Sequence, residues 1–296
     1  MSDQPLVSVV IPCYNHEQFV QDCIQSVIDQ TYQNIELIII DDGSSDGTVA
    51  KIQEMVDLCK QRFTHFEFRH RPNKGLSATL NESLEWCQGE YYSAIASDDM
   101  MCSKKITSQV EFFIENLDSK IVGLFSGYQL INEENIILGE RVKKQKKYKF
   151  NDLLMHNFDL PAPTAMLKLS EVKVIGGYNE NLKIEDWYMW LKLTELGAEL
   201  LYVNDTLVKY RSHDNNTSKR LVLMNQERLK VLDCFSSHIN YTQAKSKLEW
   251  LAVTDYLYVD QSNALTQAKK LLAKKPTDLF SKNFLRFIYH ALKVKK

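Results

Sequence analysis

The sequence predicts an α/β domain, a mainly parallel sheet flanked by helices, with a helical C-terminal appendage. Three observations carry this. Short apolar runs alternate with segments of helical period up to about residue 125, the pattern of βα units whose strands are buried on both faces. Two of those runs end abruptly in paired aspartates, Asp41-Asp42 and Asp98-Asp99. After Ser218 strand signals stop and helical periodicity runs to the end.

Leu6 to Ile11 reads as the first strand. His16 to Gln30 follows as a helix, with Phe19, Cys23 and Val27 on one stripe and Val20, Ile24 and Ile28 beside it. Ile35 to Ile40 is the second strand, Thr48 to Arg62 a helix, and Phe66 to Arg69 a short strand. Gly75 to Cys87 aligns Leu76, Leu80, Leu84 and Cys87 on a helix. Tyr91 to Ala96 is a strand, Lys104 to Asn116 a helix, and Ile121 to Phe125 a strand. Residues 128–170 read as irregular, with a basic run Lys143-Lys144-Gln145-Lys146-Lys147 that is a solvated loop, a flap or a membrane-facing patch. Pro161-Ala162-Pro163 introduces a strand from Thr164 to Leu169, and Gly176-Gly177-Tyr178 a turn. A helix from Asp186 to Leu196 precedes paired strands Ala198 to Val203 and Leu207 to Arg211. Helices are then expected over Leu221 to Phe235, Thr242 to Tyr258, Ala264 to Ala273 and Leu279 to Leu292. The expected division is 1–218 for the α/β domain and 219–296 for the helical region.

The composition is that of a globular protein, 44% hydrophobic and 25% charged, and the net charge of −2 gives no global field to attract nucleic acid. The polar start Met1-Ser2-Asp3-Gln4-Pro5 leads straight into a strand, so no secretory leader is expected. No apolar run approaches the roughly 18 residues of a membrane span. The six cysteines form no C-x-x-C pair, which argues against zinc. They fit small buried hydrophobes in a reducing cytoplasm.

Ligands of open α/β sheets bind outside the carboxyl ends of the strands. Acid pairs there are either aimed at a ligand or close a turn. A carboxylate accepts hydrogen bonds from a base N–H or from ribose hydroxyls, so a nucleotide fits. Two acidic strand ends in one sheet can also hold a divalent cation together with substrate phosphates.

Four motifs taken together resemble family 2 glycosyltransferases of the GT-A fold. They are Val7-Ser8-Val9-Val10-Ile11-Pro12-Cys13-Tyr14-Asn15, Ile40-Asp41-Asp42-Gly43-Ser44, Ser97-Asp98-Asp99 and Ile184-Glu185-Asp186-Trp187. The resemblance covers roughly the first two thirds of the chain. It implies that Asp42 pairs with the base, uracil being suited by its imide N–H, and that Pro12 and Tyr14 frame that base. Asn15 is equally suited to capping the next helix, and Asp41 to a structural part. Ser97-Asp98-Asp99 stands where the family carries D-x-D, with Ser97 replacing the first acid. By resemblance Asp99 coordinates Mn²⁺ or Mg²⁺, and Asp98 sits near the ribose or the metal. His213, in Tyr210-Arg211-Ser212-His213, approaches the metal or the diphosphate, with Arg211 secondary. Asp186 is the implied base that deprotonates the acceptor hydroxyl, and Glu185 orients the acceptor. Simple helix capping explains the same acid pair. A base opposite the leaving group implies inversion.

The expected donor is a nucleotide sugar, a UDP-sugar by the uracil argument. The expected acceptor is a saccharide or a lipid-linked acceptor in bacterial surface-polysaccharide assembly, by single addition. A sugar-nucleotide nucleotidyltransferase would carry a Gly-rich basic loop where Pro12-Cys13-Tyr14-Asn15-His16 stands. A dehydrogenase would carry G-x-G-x-x-G there. A non-catalytic nucleotide-binding member of the fold is the remaining alternative. The stretch Lys269 to Lys296 interleaves lysines with Leu271, Leu272, Leu279, Phe280, Phe284, Leu285, Phe287, Ile288 and Leu292. It is either a packed appendage or a surface that docks peripherally on the membrane at its cytoplasmic face or on an anionic lipid-linked acceptor.

Overall fold

The structure, a computed structural model, describes residues 4–116, 120–214 and 216–294. Met1-Ser2-Asp3, Leu117-Asp118-Ser119, Asn215, Lys295 and Lys296 lie outside the described residues. The strands are β1 Val7–Cys13, β2 Ile35–Asp41, β3 His65–His70, β4 Tyr91–Ala94, β5 Met100–Met101, β6 Ile121–Ile131, β7 Ile137–Arg141, β8 Lys146–Tyr148, β9 Met166–Lys168 and β10 Glu199–Arg211. The helices are α1 Val20–Ile28, α2 Thr48–Gln53, α3 Val56–Arg62, α4 Leu76–Trp86, α5 Lys105–Glu115, α6 Phe150–Leu154, α7 Leu169–Val174, α8 Glu185–Thr194, α9 Leu221–Asp233, α10 Tyr241–Tyr256, α11 Gln261–Lys274 and α12 Lys282–Val294.

One mixed sheet runs in the order β3-β2-β1-β4-β9-β6-β10-β5, with β7 on β6 and β8 on β10. The first four strands of that order are parallel, as is the β6–β10 pair. Every residue of β2 is buried, and Val7, Val9, Val10 and Ile11 of β1 are fully so. Burying each such side chain contributes about 1.5–3 kcal/mol, so these strands anchor the sheet. The acid pairs follow the carboxyl ends of β2 and β4, which flank β1 in parallel.

The chain forms two compact units, residues 1–150 with 158–213, and residues 151–157 with 214–296. Residues 151–157 join the second unit through hydrogen bonds. The Lys247 ammonium donates to the Met155 carbonyl at 2.6 Å, and Asn240 Nδ2 to Asn151 Oδ1 at 2.8 Å. Within that unit Trp250, Val253, Leu257, Ala264, Ala268 and Phe287 make a separate core.

Several elements differ from the sequence expectation. The region expected to be irregular contains a hairpin, β6–β7, because Asn132 Oδ1 accepts the Glu134 and Ile136 N–H groups at 3.1 and 2.8 Å while Asn135 takes φ 65°. Asparagine supports both the side-chain turn and the left-handed backbone. The two strands expected at 198–211 are one, β10, with register shifts around residues 202–208. The helix expected over 48–62 divides at Glu54 and Met55, where the Met55 N–H bonds the Ile52 carbonyl three residues back. Asn15 does not cap α1. It takes φ 53°, and its Oδ1 accepts the Ser45 N–H at 2.8 Å. All six cysteines are free, and Cys13, Cys23, Cys59 and Cys87 are buried. No helix among the described residues is long and apolar enough to cross a membrane.

Candidate active site

The two aspartates that end β2 have different surroundings. Asp41 is fully buried; it accepts the Ser44 N–H at 2.9 Å and the Ser44 hydroxyl, and lies 2.8 Å from His70 Nδ1. It closes the turn. Asp42, 5% exposed, accepts the Lys74 N–H on Oδ1 at 2.8 Å and the Gly75 N–H on Oδ2 at 2.9 Å, and its Oδ1 pairs with the Arg71 guanidinium. A carboxylate offers about four lone-pair sites, so Oδ2 retains one acceptor position. Arg71 also donates to Glu82 at 2.7 Å and to Thr79 at 2.9 Å. The segment 71–75 can lie this close because Gly43 sits beneath it at φ 76°, where a Cβ would meet the Asn73 nitrogen at 2.6 Å.

The sequence reading missed Arg71, Lys74 and Gly75. The signal available was Arg71-Pro72-Asn73-Lys74-Gly75, a turn-forming, basic stretch directly after the third strand.

The loop after β1 is stitched to the loop after β2. Asn15 N–H donates to Ser44 Oγ and His16 N–H to Thr48 Oγ1, both at 2.8 Å. Pro12 lies at the end of β1, and Tyr14, 49% exposed, stands at its mouth. This stitching fixes the His16 ring, whose Nδ1 is 2.8 Å from Ser97 Oγ and 4.0 Å from Asp98. Asp98 in turn lies 2.8 Å from His213 Nε2. Ligand atoms of His16, Asp98 and His213 all fall within 4.8 Å of one another. His16 is a further residue the sequence reading missed. Its position two residues after Tyr14 was visible, but nothing in the sequence showed that it meets Asp98.

Asp99 goes elsewhere. It is 2% exposed, and its Oδ1 accepts the Arg211 N–H at 2.8 Å. The Arg211 side chain, fully buried, donates to the Asp98 carbonyl at 2.7 Å and to the Asn132 and Glu133 carbonyls at 2.9 and 3.1 Å. Arg211 thus holds the Asp98-Asp99 turn against the end of β10. The geometry brings Asp98, rather than Asp99, together with the two histidines.

The protonation tendencies agree with that division. Burial lowers the His16 pKa, which favours the neutral ring. Burial pushes the Asp98 carboxyl up, but the hydrogen bond from His213 and the other interactions of the two imidazoles outweigh it, so Asp98 sits below the ordinary carboxylate value. Burial, then the Asp98 charge, pushes Asp99 well above it. One carboxylate with two imidazoles is a donor set that suits a first-row transition ion such as Mn²⁺ better than Mg²⁺, which prefers all-oxygen coordination.

Glu185 and Asp186 open α8, whose Trp187, Trp190, Leu191, Leu193 and Thr194 are buried. Trp190 packs edge-on to Phe125 with centroids 4.8 Å apart. The approach to this helix is tied to α4. Ser77 Oγ donates to the Leu182 carbonyl at 3.2 Å, and Asn81 bonds both the N–H and the carbonyl of Tyr178. The start of α4 also carries the Gly75 N–H that binds Asp42, so one helix positions both acid groups. Asp186 Oδ1 accepts the Trp187 N–H at 2.6 Å. Burial, then the Asp186 charge, pushes Glu185 up to about 8, and burial raises Asp186 as well. Such a carboxyl pair is suited to moving a proton near neutral pH.

The site thus consists of acid pairs at the carboxyl ends of the parallel strands of a mixed sheet, a His-Asp-His cluster and an acidic helix start, on an α/β fold. The chain belongs to glycosyl transferase family 2, whose family profile matches residues 8–173. It is 31% identical over 225 residues to an uncharacterised glycosyltransferase of Rickettsia typhi, covering 72% of this chain and 66% of that protein. It is 29% identical over 215 residues to TuaG of Bacillus subtilis strain 168, a putative teichuronic acid biosynthesis glycosyltransferase, covering 73% of this chain and 82% of TuaG. The chain spans 66% of the length of two of its Rickettsia relatives and only 32% to 37% of three others.

Among solved structures, the mannosyltransferase PcManGT of Pyrobaculum calidifontis, in complex with GDP-Man and Mn²⁺, superposes with a TM-score of 0.64 at 14% identity, over 99% of this chain and 88% of that one. S. aureus TarS in complex with UDP-GlcNAc gives 0.62 at 14% identity, over 87% and 74%. The fold is therefore GT-A.

Proposed function

We propose that this protein is an inverting glycosyltransferase that moves a sugar from a nucleoside-diphosphate sugar, a UDP-sugar, to a hydroxyl of a saccharide or lipid-linked acceptor in cell-surface polysaccharide assembly. The observation that carries the reading is the His16–Asp98–His213 cluster at the same sheet edge as Asp42. Residues 1–218 would hold the chemistry, and residues 219–296 the helical region. The similarity to TuaG supports the polysaccharide setting, and the nucleotide-sugar complexes of the structural neighbours support the donor class.

Asp42 accepts the imide N–H of the base on its remaining Oδ2 position, while Arg71 and the Lys74 and Gly75 N–H groups hold the carboxylate in place. Pro12 and Tyr14 frame the base. His16, Asp98 and His213 hold a divalent cation, Mn²⁺ in preference to Mg²⁺. When bound, that cation neutralises the diphosphate leaving group as a Lewis acid. Asp99 and Arg211 keep Asp98 turned toward the two rings. Asp186 takes the proton of the acceptor hydroxyl, and Glu185 beside it orients the acceptor. The setting is the cytoplasm, at the inner face of the membrane.

The test is thermal shift against a panel of nucleotides with and without Mn²⁺, since a ligand stabilises by RT ln(1 + [L]/Kd). UDP with Mn²⁺ should raise Tm. A panel in which no nucleotide shifts Tm under either condition overturns the reading. Asp42→Ala should weaken UDP binding by about 1.5–3 kcal/mol, the scale of a hydrogen bond to a charged group. Unchanged calorimetric affinity in the folded variant removes Asp42 from the base site.

The pH dependence follows from the acid pair. A base must be ionised to act, and both carboxyls sit above their ordinary values. The rate kcat should therefore rise with pH through a limb displaced upward from the ordinary aspartate value. Asp186 ionises while Glu185 beside it is still protonated, because burial and the Asp186 charge hold Glu185 up to about 8. Glu185→Gln should therefore leave that limb in place, and a limb that Glu185→Gln moves well down in pH contradicts this order of ionisation.

A further inference from the structure

Helix α12 carries two apolar stripes, and only one is used. Phe284, Phe287, Ala291 and Val294 face the core of the second unit, with the Phe284 and Phe287 rings 5.4 and 5.8 Å from Trp250. On the other side Leu285, Ile288, Tyr289 and Leu292 are 60%, 39%, 55% and 64% exposed. At the helical repeat these four cover an arc of roughly 100°. Phe280, 89% exposed, extends the surface into the preceding turn.

The next arc of the same helix holds Lys282, Arg286 and Lys293, all exposed. The sole acid between Pro276 and Lys296 is Asp278. It is turned inward, accepting from Trp250 Nε1 at 2.9 Å and pairing with Lys275 at 3.1 Å. The exposed apolar stripe is therefore bordered by cations with no carboxylate on the same helix.

This combination selects the occupant. A second copy of the chain packed face to face would bring like charges together. An anionic lipid surface accepts the apolar stripe and attracts the cations at once. Tyrosine is suited to the same depth, its ring apolar and its hydroxyl wet. We propose that the exposed stripe of α12 docks the protein on an anionic membrane surface. Leu285, Ile288, Tyr289 and Leu292 enter the boundary between headgroups and acyl chains, and Lys282, Arg286 and Lys293 lie on anionic headgroups. The inference is independent of the donor, the cation and the base proposed above.

Co-sedimentation of the full chain with vesicles of phosphatidylcholine alone, and of phosphatidylcholine mixed with phosphatidylglycerol, tests it at low salt. The protein should pellet with the anionic vesicles and be released as salt rises. A variant with Lys282→Gln, Arg286→Gln and Lys293→Gln should partition roughly 100-fold more weakly, about fivefold per cation. Leu285→Asp with Leu292→Asp should also abolish pelleting. Both sites are exposed, so the far-UV spectrum and Tm should be kept. Wild-type protein that stays in the supernatant with anionic vesicles overturns the proposal, and so does a charge variant that partitions like wild type. A concentration-dependent dimer without vesicles, lost in the Leu285→Asp and Leu292→Asp variant, overturns it in favour of a second copy.

Discussion

Asp186→Asn should lower sugar transfer by about 10²–10⁴-fold, the contribution of a positioned general base, while UDP binding stays at the wild-type level. Asparagine has nearly the same shape, and its Oδ1 can still accept the Trp187 N–H that Asp186 accepts at 2.6 Å. The first turn of α8 and its buried Trp187 and Trp190 should therefore stay in place. What is lost is the ability to take a proton. Single-turnover transfer with calorimetry of UDP separates the two effects. Glu185→Gln should cost less, because the role proposed for that residue is to orient the acceptor and not to abstract its proton. A near-wild-type Asp186→Asn alongside an inactive Glu185→Gln would exchange the two roles.

The second large effect is expected at Asp98. Chelation should abolish transfer, and Mn²⁺ should restore it better than Mg²⁺, because two imidazoles favour the softer ion. Asp98→Asn removes the only anionic donor from the His16–Asp98–His213 cluster. Charge stabilisation by a metal is worth several kcal/mol, so transfer should fall by roughly 10³-fold or more at fixed Mn²⁺. Asp99→Asn should be far milder. Its side-chain oxygen can still accept the Arg211 N–H, and it removes a buried carboxyl whose charged form is disfavoured by burial and by Asp98. Titration of Mn²⁺ against rate for both variants decides between them. Equal loss at both positions would mean that the two acids act as one ligand set.

The sheet was legible because its strands are short runs of Val, Ile and Leu closed by acids, a pattern set by burial on both faces. Residues 35–41 are buried as that pattern requires. The helical end was legible from its period. What stayed hidden depends on partners distant in sequence. Which of Asp98 and Asp99 faces the cluster is decided by Arg211, whose N–H and guanidinium lie more than a hundred residues away. Which face of Asp42 remains open is decided by Arg71, Lys74 and Gly75. The β6–β7 hairpin was hidden for a local reason. Its turn is made by asparagines, with no Gly or Pro to mark it. In α12 the apolar residues were visible, but their division into a core stripe and an exposed one needed the position of Trp250.

Anomalous diffraction at the manganese edge, from crystals grown with UDP and Mn²⁺, tests the central claim most directly. The account predicts one peak between the His16, Asp98 and His213 side chains, with UDP density leading from it toward Asp42. A peak coordinated by Asp99 while Asp98 keeps its hydrogen bond to His213, or UDP bound with no manganese in that cluster, would contradict it.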